Sequence, residues 1–316
     1  MSQNRILTIT LNPALDLSTG VDEVRPEQKL RCDKPVVDPG GGGINVSRAI
    51  RILGGQSTAL VALGGATGTR IAEMLKEDGL VVMRVTAPGE TRQSLAVTDR
   101  ATGKQFRFVL PGPEWHRAHI ADAVSTIAEA AREGGWVVLS GSNPPGVPAG
   151  FAQMLSVRLR DSAARLLVDT SGEALRTIAG SSTPVEVLRM DSQEAEGLAG
   201  RTLPARADSA DFAASLVRDG VARSVIVARG ADGSVIAGPD GIWHAEAAKV
   251  PVVSAVGAGD SFVAGFLLAT AKGQPVDEAL ALGAAAASAA CTTPATELCH
   301  AKDVARLYEK RVVTRL

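Results

Sequence analysis

Short, uniformly apolar runs recur along the chain, separated by longer segments whose apolar residues return every three or four positions. An apolar run bounded by turn residues predicts a buried β-strand, and the three-to-four spacing predicts a helix with one buried face. Buried strands that alternate with helices are typical of βαβ units and a mainly parallel sheet. The predicted strands are Ile6–Leu11, Thr58–Leu63, Trp136–Ser140, Leu166–Asp169, Val185–Leu188 and Ser224–Ala228.

The helical pattern changes along the chain. Between the strands, the predicted helices are Ile44–Leu53, Ile71–Glu77, Ile120–Ala131 and Asp211–Asp219. In the last third, three helices are predicted in succession, over Asp260–Lys272, Asp277–Ala290 and Lys302–Val312. The middle one has small residues on every face, so we expect it to be packed inside the protein.

Two more polar segments, Gly20–Val37 and Thr91–Val109, read as strands joined by turns. In the second, SLAVTD and KQFRFVL flank a turn at Arg100–Gly103, which predicts a hairpin. We predict that both segments, about residues 20–37 and 91–110, form a small β-lid inserted over the sheet's edge. No linker, charge block or repeat divides the chain, so residues 1–316 are predicted to form a single domain.

Composition narrows the class of protein. The 316 residues are 45% hydrophobic and 21% charged, as in globular proteins, and the formal net charge is -1. Without a basic excess, we expect neither nucleic acid nor an anionic membrane as a partner. The amino terminus lacks the features of a signal peptide, and the alanine-rich segment is too short to span a bilayer. Three cysteines without zinc-site spacing suggest reduced thiols in a cytoplasmic protein.

The segment VGAGD, which precedes the helix at residue 260, is the sharpest chemical signal. Glycines allow the backbone to approach a ligand, and the free amides of Gly257, Ala258 and Gly259 at a helix start favour an anion. A carboxylate in the same turn would repel that anion unless Asp260 removes a proton from an attacking hydroxyl. The alternative is that Asp260 only caps its helix.

Two further segments have a ligand interpretation and a structural one. In DPGGGGINV, four glycines remove side-chain bulk before a helix whose first turn carries Asn45; the alternative is a flexible turn. In NPALD, Asp16 follows the first strand, where open α/β sheets bind ligands, and its carboxylate can accept two sugar hydroxyls; the alternative is an Asx turn. The chain has no dinucleotide fingerprint and no GxxxxGK[ST] loop, which disfavours a dinucleotide-dependent oxidoreductase.

The lid segments also contain four cations, Lys29, Arg31, Arg92 and Arg107. Taken singly, each reads as solvated surface. Together on one lid they predict a clamp for a phosphate group, which arginine binds with two parallel hydrogen bonds.

In order and spacing, the motifs resemble the ribokinase-like, or PfkB, family of sugar kinases over nearly the whole chain. They are LNPALD, KLRCD, PGGGGINVSRAI, TRQS, QFRFVLPG, SGSNPPG, DTSGEAL and VGAGDSFVAG. The resemblance is strongest to the branch of 6-phosphofructokinases, 1-phosphofructokinases and tagatose-6-phosphate kinases. It implies a doubly wound α/β core with a β-lid, and commonly a homodimer through that lid.

The resemblance also implies roles for individual residues. Asp260 would be the base, with Gly257, Ala258 and Gly259 as the anion hole. Contacts to the sugar hydroxyls would come from Asp16, Gly41, Gly42 and Asn45, and contacts to the sugar phosphate or its surroundings from Lys29, Arg31, Arg92, Arg107 and Ser142. Nucleotide contacts would come from Arg189, Asp191, Ala228, Gly230, Gly233, Gly257 and Gly259, and Glu194 would hold magnesium through water.

Two departures from the family pattern affect the cofactors, which are Mg²⁺ with ATP and, in some members, K⁺. Arg189-Met190-Asp191 stands where relatives usually have Lys-Pro-Asn, so Asp191 adds a negative charge that either recruits metal or weakens ATP binding. The loop from Cys291 to Glu297 replaces the usual Asn, Gly and basic residues near the monovalent-cation site. The sequence therefore leaves potassium dependence open.

The lid cations favour an acceptor that already carries a phosphate, so fructose 6-phosphate is the first predicted acceptor. Fructose 1-phosphate and tagatose 6-phosphate are the alternatives. A non-catalytic sensor of sugar phosphate or nucleotide on the same fold is the alternative from another class.

Overall fold

In a computed structural model of the protein, residues 3–294 and 297–316 are described. The strands are β1 (Ile6–Thr10), β2 (Ala14–Val21), β3 (Val36–Gly40), β4 (Thr58–Leu63), β5 (Val81–Thr86), β6 (Arg92–Asp99), β7 (Gln105–Val109), β8 (Gly135–Ser140), β9 (Ala164–Asp169), β10 (Val185–Asp191), β11 (Ala222–Ala228), β12 (Ser234–Gly238), β13 (Gly241–Ala245) and β14 (Val313–Arg315). The helices are α1 (Gly42–Ile52), α2 (Gly65–Glu77), α3 (Arg117–Ala130), α4 (Phe151–Leu159), α5 (Gly172–Ala179), α6 (Ser192–Ala199), α7 (Arg206–Arg218), α8 (Ala258–Ala271), α9 (Val276–Ala290) and α10 (Ala301–Glu309).

The main sheet has the order β14-β13-β12-β11-β10-β9-β8-β1-β4-β5. Its strands from β11 to β5 are parallel, whereas β12, β13 and β14 extend the sheet in antiparallel fashion. The predicted, mainly parallel sheet is therefore confirmed.

Helices cover both faces of this sheet, as the strand sequences require. In β1, Leu7 and Ile9 point into the core shared with α3, α4, α5 and α7. Ile6 points the other way, into the core shared with α1, α8, α9 and α10. Alternate residues of one strand thus fill two separate cores, which confirms the doubly wound architecture.

Several elements were not predicted. Strand β5 was missed because its sequence, VVMRVT, is mostly exposed and lacks a continuous apolar run. Also missed were the hairpin β12–β13 and helices α4, α5 and α6. The predicted helix Lys302–Val312 is too long, because α10 ends at Glu309 and the chain then adds β14 to the sheet.

The lid is a four-stranded sheet in the order β3-β2-β6-β7. The predicted hairpin is confirmed by the antiparallel pairing of β6 and β7. The lid begins earlier than predicted, because β2 starts at Ala14 and pairs in parallel with β6. Asp16, which was predicted to follow β1 at its carboxyl end, therefore lies within strand β2 of the lid.

Helices α8 and α9 cross closely because glycines meet at the crossing. A Cβ on Gly265 would lie 2.7 Å from the carbonyl oxygen of Leu282, and one on Gly283 would lie 3.0 Å from the carbonyl oxygen of Phe262. This contact fixes α8, which is the helix that begins with the VGAGD segment.

We predict that Gly265→Val lowers the free energy of unfolding by about 2 kcal/mol or more, because the new side chain has no space against α9. The matched control is Gly197→Ala in α6, where an added Cβ meets no atom within 4 Å. That control should be neutral or stabilise by up to about 1 kcal/mol. Chemical denaturation measures both changes, and equal effects would contradict the proposed crossing.

Candidate active site

The predicted turn before α8 has the geometry of a helix start. Gly257 is the N-cap residue with φ of 78°, a left-handed conformation that favours glycine. Asp260 follows in the first turn of the helix. The Ala258 amide donates to the carbonyl oxygen of Ala255 at 3.3 Å, so one of the three predicted anion-hole amides has a long internal partner. The amides of the first turn have no intrahelical acceptor and are available to an anion.

Asp260 is held in place by Asn45, whose side-chain nitrogen donates to Asp260 Oδ2 at 2.9 Å. Burial raises the pKa of Asp260 to about 7, and the negative charge of Asp169 adds to the rise. The hydrogen bond from Asn45 and the charge of Arg189 oppose it. A carboxyl group with a pKa near 7 can both take up and release a proton at neutral pH, as a general base must. Asn45, predicted to contact the sugar, therefore also positions the predicted base.

A buried ion pair lies beneath this helix start. Arg189 Nη1 is 3.0 Å from Asp169 Oδ1, and both side chains are largely buried. A Cβ on Gly259 would lie 3.3 Å from the Arg189 guanidinium, so glycine at this position leaves room for the cation. Asp169 was not among the predicted site residues. Its position at the carboxyl end of β9, where α/β sheets bind ligands, is the signal that could have identified it.

The residues predicted to contact the nucleotide converge on one large cavity of about 1100 Å³. Six of the seven predicted residues line it, namely Arg189, Asp191, Ala228, Gly230, Gly233 and Gly259. Among the described residues that line the cavity, the seventh, Gly257, is absent, whereas Ala258, predicted for the anion hole, is present. Its other wall is apolar and includes Val250, Val252, Phe262, Ala284 and Ala287, which sequence reasoning missed. An apolar slot beside cationic and amide groups suits a planar base joined to phosphates.

Asp191 and Glu194 cap α6 reciprocally. The Glu194 amide donates to Asp191 Oδ1 at 2.8 Å, and the Asp191 amide donates to Glu194 Oε2 at 2.8 Å. Burial raises the pKa of Glu194, and the negative charges of Asp191 and Asp169 raise it further, against its backbone hydrogen bond. In the described part of the chain, no three such side chains lie close enough to hold an ion by themselves. The Asp191 and Glu194 carboxylates fit a magnesium ion, because protein-bound magnesium usually keeps several water ligands and takes its other ligands from one or two carboxylates and from the phosphates of a substrate.

The glycine run has a packing explanation. A Cβ on Gly42 would lie 2.3 Å from Ser140 Oγ, and one on Gly43 would lie 2.5 Å from the carbonyl oxygen of Ile9. Gly41 has φ of 130° and faces Thr10. These glycines are thus required by contacts within the protein, and the predicted sugar contacts of Gly41 and Gly42 stay predictions.

Asp16 lies on the lid near two of the predicted cations. Burial raises the pKa of Asp16, and the charges of Arg92 and Arg107 oppose the rise. Asp16, Arg107 and Val256 line a common cavity of about 160 Å³, which places the lid carboxylate beside the segment that leads into α8.

Arg92 and Ser142 line a neighbouring cavity of about 610 Å³. The Arg92 guanidinium donates to the carbonyl oxygen of Asn12 at 3.2 Å. Asn12 Nδ2 donates to Ser142 Oγ at 3.2 Å, so Asn12, which was not predicted, joins the two predicted residues.

The predicted clamp of four cations is only partly assembled. Lys29 and Arg31 are exposed, in a segment without regular secondary structure between β2 and β3. Within residues 3–294 and 297–316, no hydrogen bond or ion pair connects either of them to Asp16, Arg92 or Arg107. Their part in phosphate binding stays a prediction.

The loop from Cys291 to Glu297, which departs from the family pattern near the monovalent-cation site, is described only in part, since Ala295 and Thr296 lie outside the described residues. Thr293 is buried, and its hydroxyl donates to the carbonyl oxygen of Ala290 at 2.8 Å. Glu297 lies 3.7 Å from His300 Nε2. Among the helices of the described ranges, none has both the length and the apolarity to cross a membrane.

Comparison with known proteins agrees with this geometry. The profile of the pfkB family of carbohydrate kinases matches residues 7–303. The chain is 38% identical to the ATP-dependent 6-phosphofructokinase isozyme 2 of Mycobacterium tuberculosis, over 96% of this chain and 89% of the relative. It is 30% identical to the 1-phosphofructokinase of Bacillus subtilis, over 98% of this chain and all of the relative.

The fold comparison gives the same result. The crystal structure of phosphofructokinase-2 from Escherichia coli in complex with potassium superposes with a TM-score of 0.90 at 35% identity, covering 97% of this chain and 99% of that one. The same Escherichia coli protein has been solved in complex with fructose-6-phosphate, with a TM-score of 0.89. The family match over residues 7–303 extends from β1 into α10 and includes the lid, the Asp260 turn and the residues of the large cavity. Because it covers nearly the whole chain, the chain belongs to the pfkB family of carbohydrate kinases.

Proposed function

We propose that this chain transfers the γ-phosphoryl group of ATP to the free hydroxymethyl group of fructose 6-phosphate, giving fructose 1,6-bisphosphate. The observation that carries the proposal is the position of Asp260. It lies in the first turn of α8. Ala258 and Gly259 of that turn line the large cavity, whose lining suits a nucleotide, and Val256 just before it lines the lid cavity together with Arg107, a cation that suits a phosphate. The choice of acceptor is supported by two similar proteins, one of which is a 6-phosphofructokinase and the other of which has been solved in complex with fructose-6-phosphate.

In the proposed mechanism, Asp260 accepts the proton of the attacking hydroxyl while Asn45 holds its other side. Charge that develops on the transferred group is stabilised by the amides of the α8 start and by Arg189 beneath Gly259. ATP would supply the phosphoryl group and leave as ADP, and magnesium, when bound, would neutralise part of the phosphate charge. Glu194 would hold the magnesium through water, and the lid would exclude bulk water from the site.

The lid also supports a proposed homodimer. Phe108 and Val109 on edge strand β7, Leu110 directly after it and Val36 on the opposite edge strand β3 are each more than half accessible. Exposed apolar side chains at the edges of a sheet are typical of a protein interface. A cytoplasmic location and a dependence on potassium stay predictions.

A coupled assay for ADP release against a panel of acceptors tests the proposed function. We expect kcat/KM to be highest with fructose 6-phosphate, lower with fructose 1-phosphate and tagatose 6-phosphate, and lowest with unphosphorylated fructose. Asp260→Asn should lower kcat at least about 100-fold with every acceptor, because it removes the base. Saturable ligand binding without ADP release for any acceptor would support the sensor instead.

The raised pKa of Asp260 makes stability depend on pH. The unfolded carboxyl ionises near 3.8 and the folded one near 7. The unfolded chain therefore binds fewer protons between these values, and ionisation destabilises the folded state as pH rises. The Asp260→Asn variant cannot ionise at this position. The difference between its free energy of unfolding and that of the original chain should therefore increase by on the order of 2 kcal/mol in favour of the variant from pH 5 to pH 7, and then level off. Urea denaturation of both proteins at pH 5, 6, 7 and 8 measures it. A constant difference would contradict the pKa.

Asp191→Asn tests the first departure from the family pattern. Asparagine caps a helix as well as aspartate does, so the fold should be unchanged. Removing a negative charge from the nucleotide cavity should lower the KM for MgATP about threefold, through reduced repulsion in a partly solvated site. Asp219→Asn, which removes the same charge from an exposed position at the end of α7, is the control. A raised KM would instead show that the Asp191 carboxylate helps to hold the metal.

A further inference from the structure

A cluster of charged side chains lies beside the turn that forms part of the wall of the large cavity. The short 3-10 turn Gly230–Asp232 forms part of the cavity wall through Gly230 and Ala231. The Asp232 carboxylate instead binds two arginines. Arg206 Nη2 is 2.7 Å from Oδ1, and Arg229 Nε is 2.9 Å from Oδ2, so each carboxylate oxygen has a guanidinium partner. We refer to Arg206, Arg229 and Asp232 as the brace.

The brace fixes the turn to the loop that precedes α7. Arg229 is almost fully buried and donates to the carbonyl oxygens of Leu203 at 3.0 Å and Pro204 at 2.9 Å. The carbonyl oxygen of Asp232 is 2.6 Å from Nε2 of the buried His244. The turn is therefore held through both its side chain and its main chain.

Arg206 also reaches the opposite wall. Its Nη1 lies 3.4 Å from Glu246 Oε1, just before the segment from Ala247 to Val252 that forms the other side of the cavity. The two walls touch at Gly233, where a Cβ would lie only 2.0 Å from the carbonyl oxygen of Ala245. One side chain from α7 thus joins the glycine-rich turn to the wall that faces it.

The turn needs such support because its sequence does not fix its shape. Gly230 and Gly233 have φ of 58° and 95°, and glycine has the largest backbone freedom to lose on ordering. If the cavity wall is already ordered in the free protein, ligand binding does not have to order it, and the affinity is not lowered by that loss of conformational entropy. The hydrogen bond from Arg206 is also the main reason that the pKa of Asp232 is lowered, which indicates a well-formed pair.

We propose that Arg206 and Asp232 are positioning residues for the nucleotide, and that they set the affinity for ATP without taking part in phosphoryl transfer. This inference rests on the proposed role of the large cavity. Neither side chain contacts Asp260, Asn45 or the lid cations among the contacts of the described residues. Loss of the brace should therefore act on the nucleotide and leave the acceptor and the chemical step unchanged.

The test compares Arg206→Gln, Asp232→Asn and Arg206→Lys. The first two should raise the KM for ATP about five- to tenfold, with kcat and the KM for fructose 6-phosphate within twofold of the original chain. Arg206→Lys keeps the charge but cannot reach Asp232 and Glu246 with a planar fork, so its KM should be intermediate. The dissociation constant of MgADP, measured by calorimetry without acceptor, should rise in parallel.

The control is Arg201→Gln. Arg201 lies in the same loop before α7, is more than half exposed and is 3.8 Å from Asp208, so its loss should leave every parameter unchanged. Thermal unfolding of each variant separates loss of fold from loss of positioning. A general fall in kcat and in both affinities, or lower stability with unchanged ATP affinity, would overturn the inference. Failure of the original chain to bind nucleotide would instead overturn the proposed function.

Discussion

The site depends on burying the Asp260 carboxylate in the first turn of α8, close to a second carboxylate, Asp169. Burial and like charge both oppose ionisation, and together they outweigh the stabilisation that Asn45 and Arg189 provide. The balance leaves a carboxyl group that gains and loses its proton near pH 7. Without Arg189, the carboxylates of Asp169 and Asp260 would carry an uncompensated charge inside the protein, which proteins rarely tolerate.

The need to hold Asp260 in this position also explains the two glycines of the VGAGD segment. Gly257 adopts a left-handed backbone that starts the helix. Gly259 has no side chain because Arg189 lies directly behind it. Gly265 and Gly283 allow α8 to pack closely against α9, and this contact fixes the position of α8 beside the cavity. The VGAGD turn is therefore held from three directions, by the Asp169–Arg189 ion pair, by Asn45 and by the close crossing of α8 and α9.

Much of this could be predicted from local sequence. The parallel strands, the lid hairpin and the α8 start all follow from apolar runs and glycine positions that are short in range. The convergence of six of the seven predicted nucleotide residues on the large cavity was also predictable, because family motifs preserve their order. Strand β5 and the β12–β13 hairpin were missed since their exposure depends on which neighbours the sheet provides. Strand β2, which carries Asp16, was not predicted because nothing local shows that the chain turns at Pro13 and enters the lid.

The pairings that tune the chemistry lie beyond local sequence. Asn45 and Asp260 are 215 positions apart, and Arg189 meets Asp169 only because β9 and β10 are adjacent in the sheet. The same holds for Arg206, which the sequence presents as an ordinary first-turn residue of a helix. The role proposed for it follows from its contacts with Asp232 and Glu246, which lie far apart in sequence and meet only in the folded protein. Motifs identify which residues a family uses, while the surrounding contacts determine how strongly this chain holds each of them.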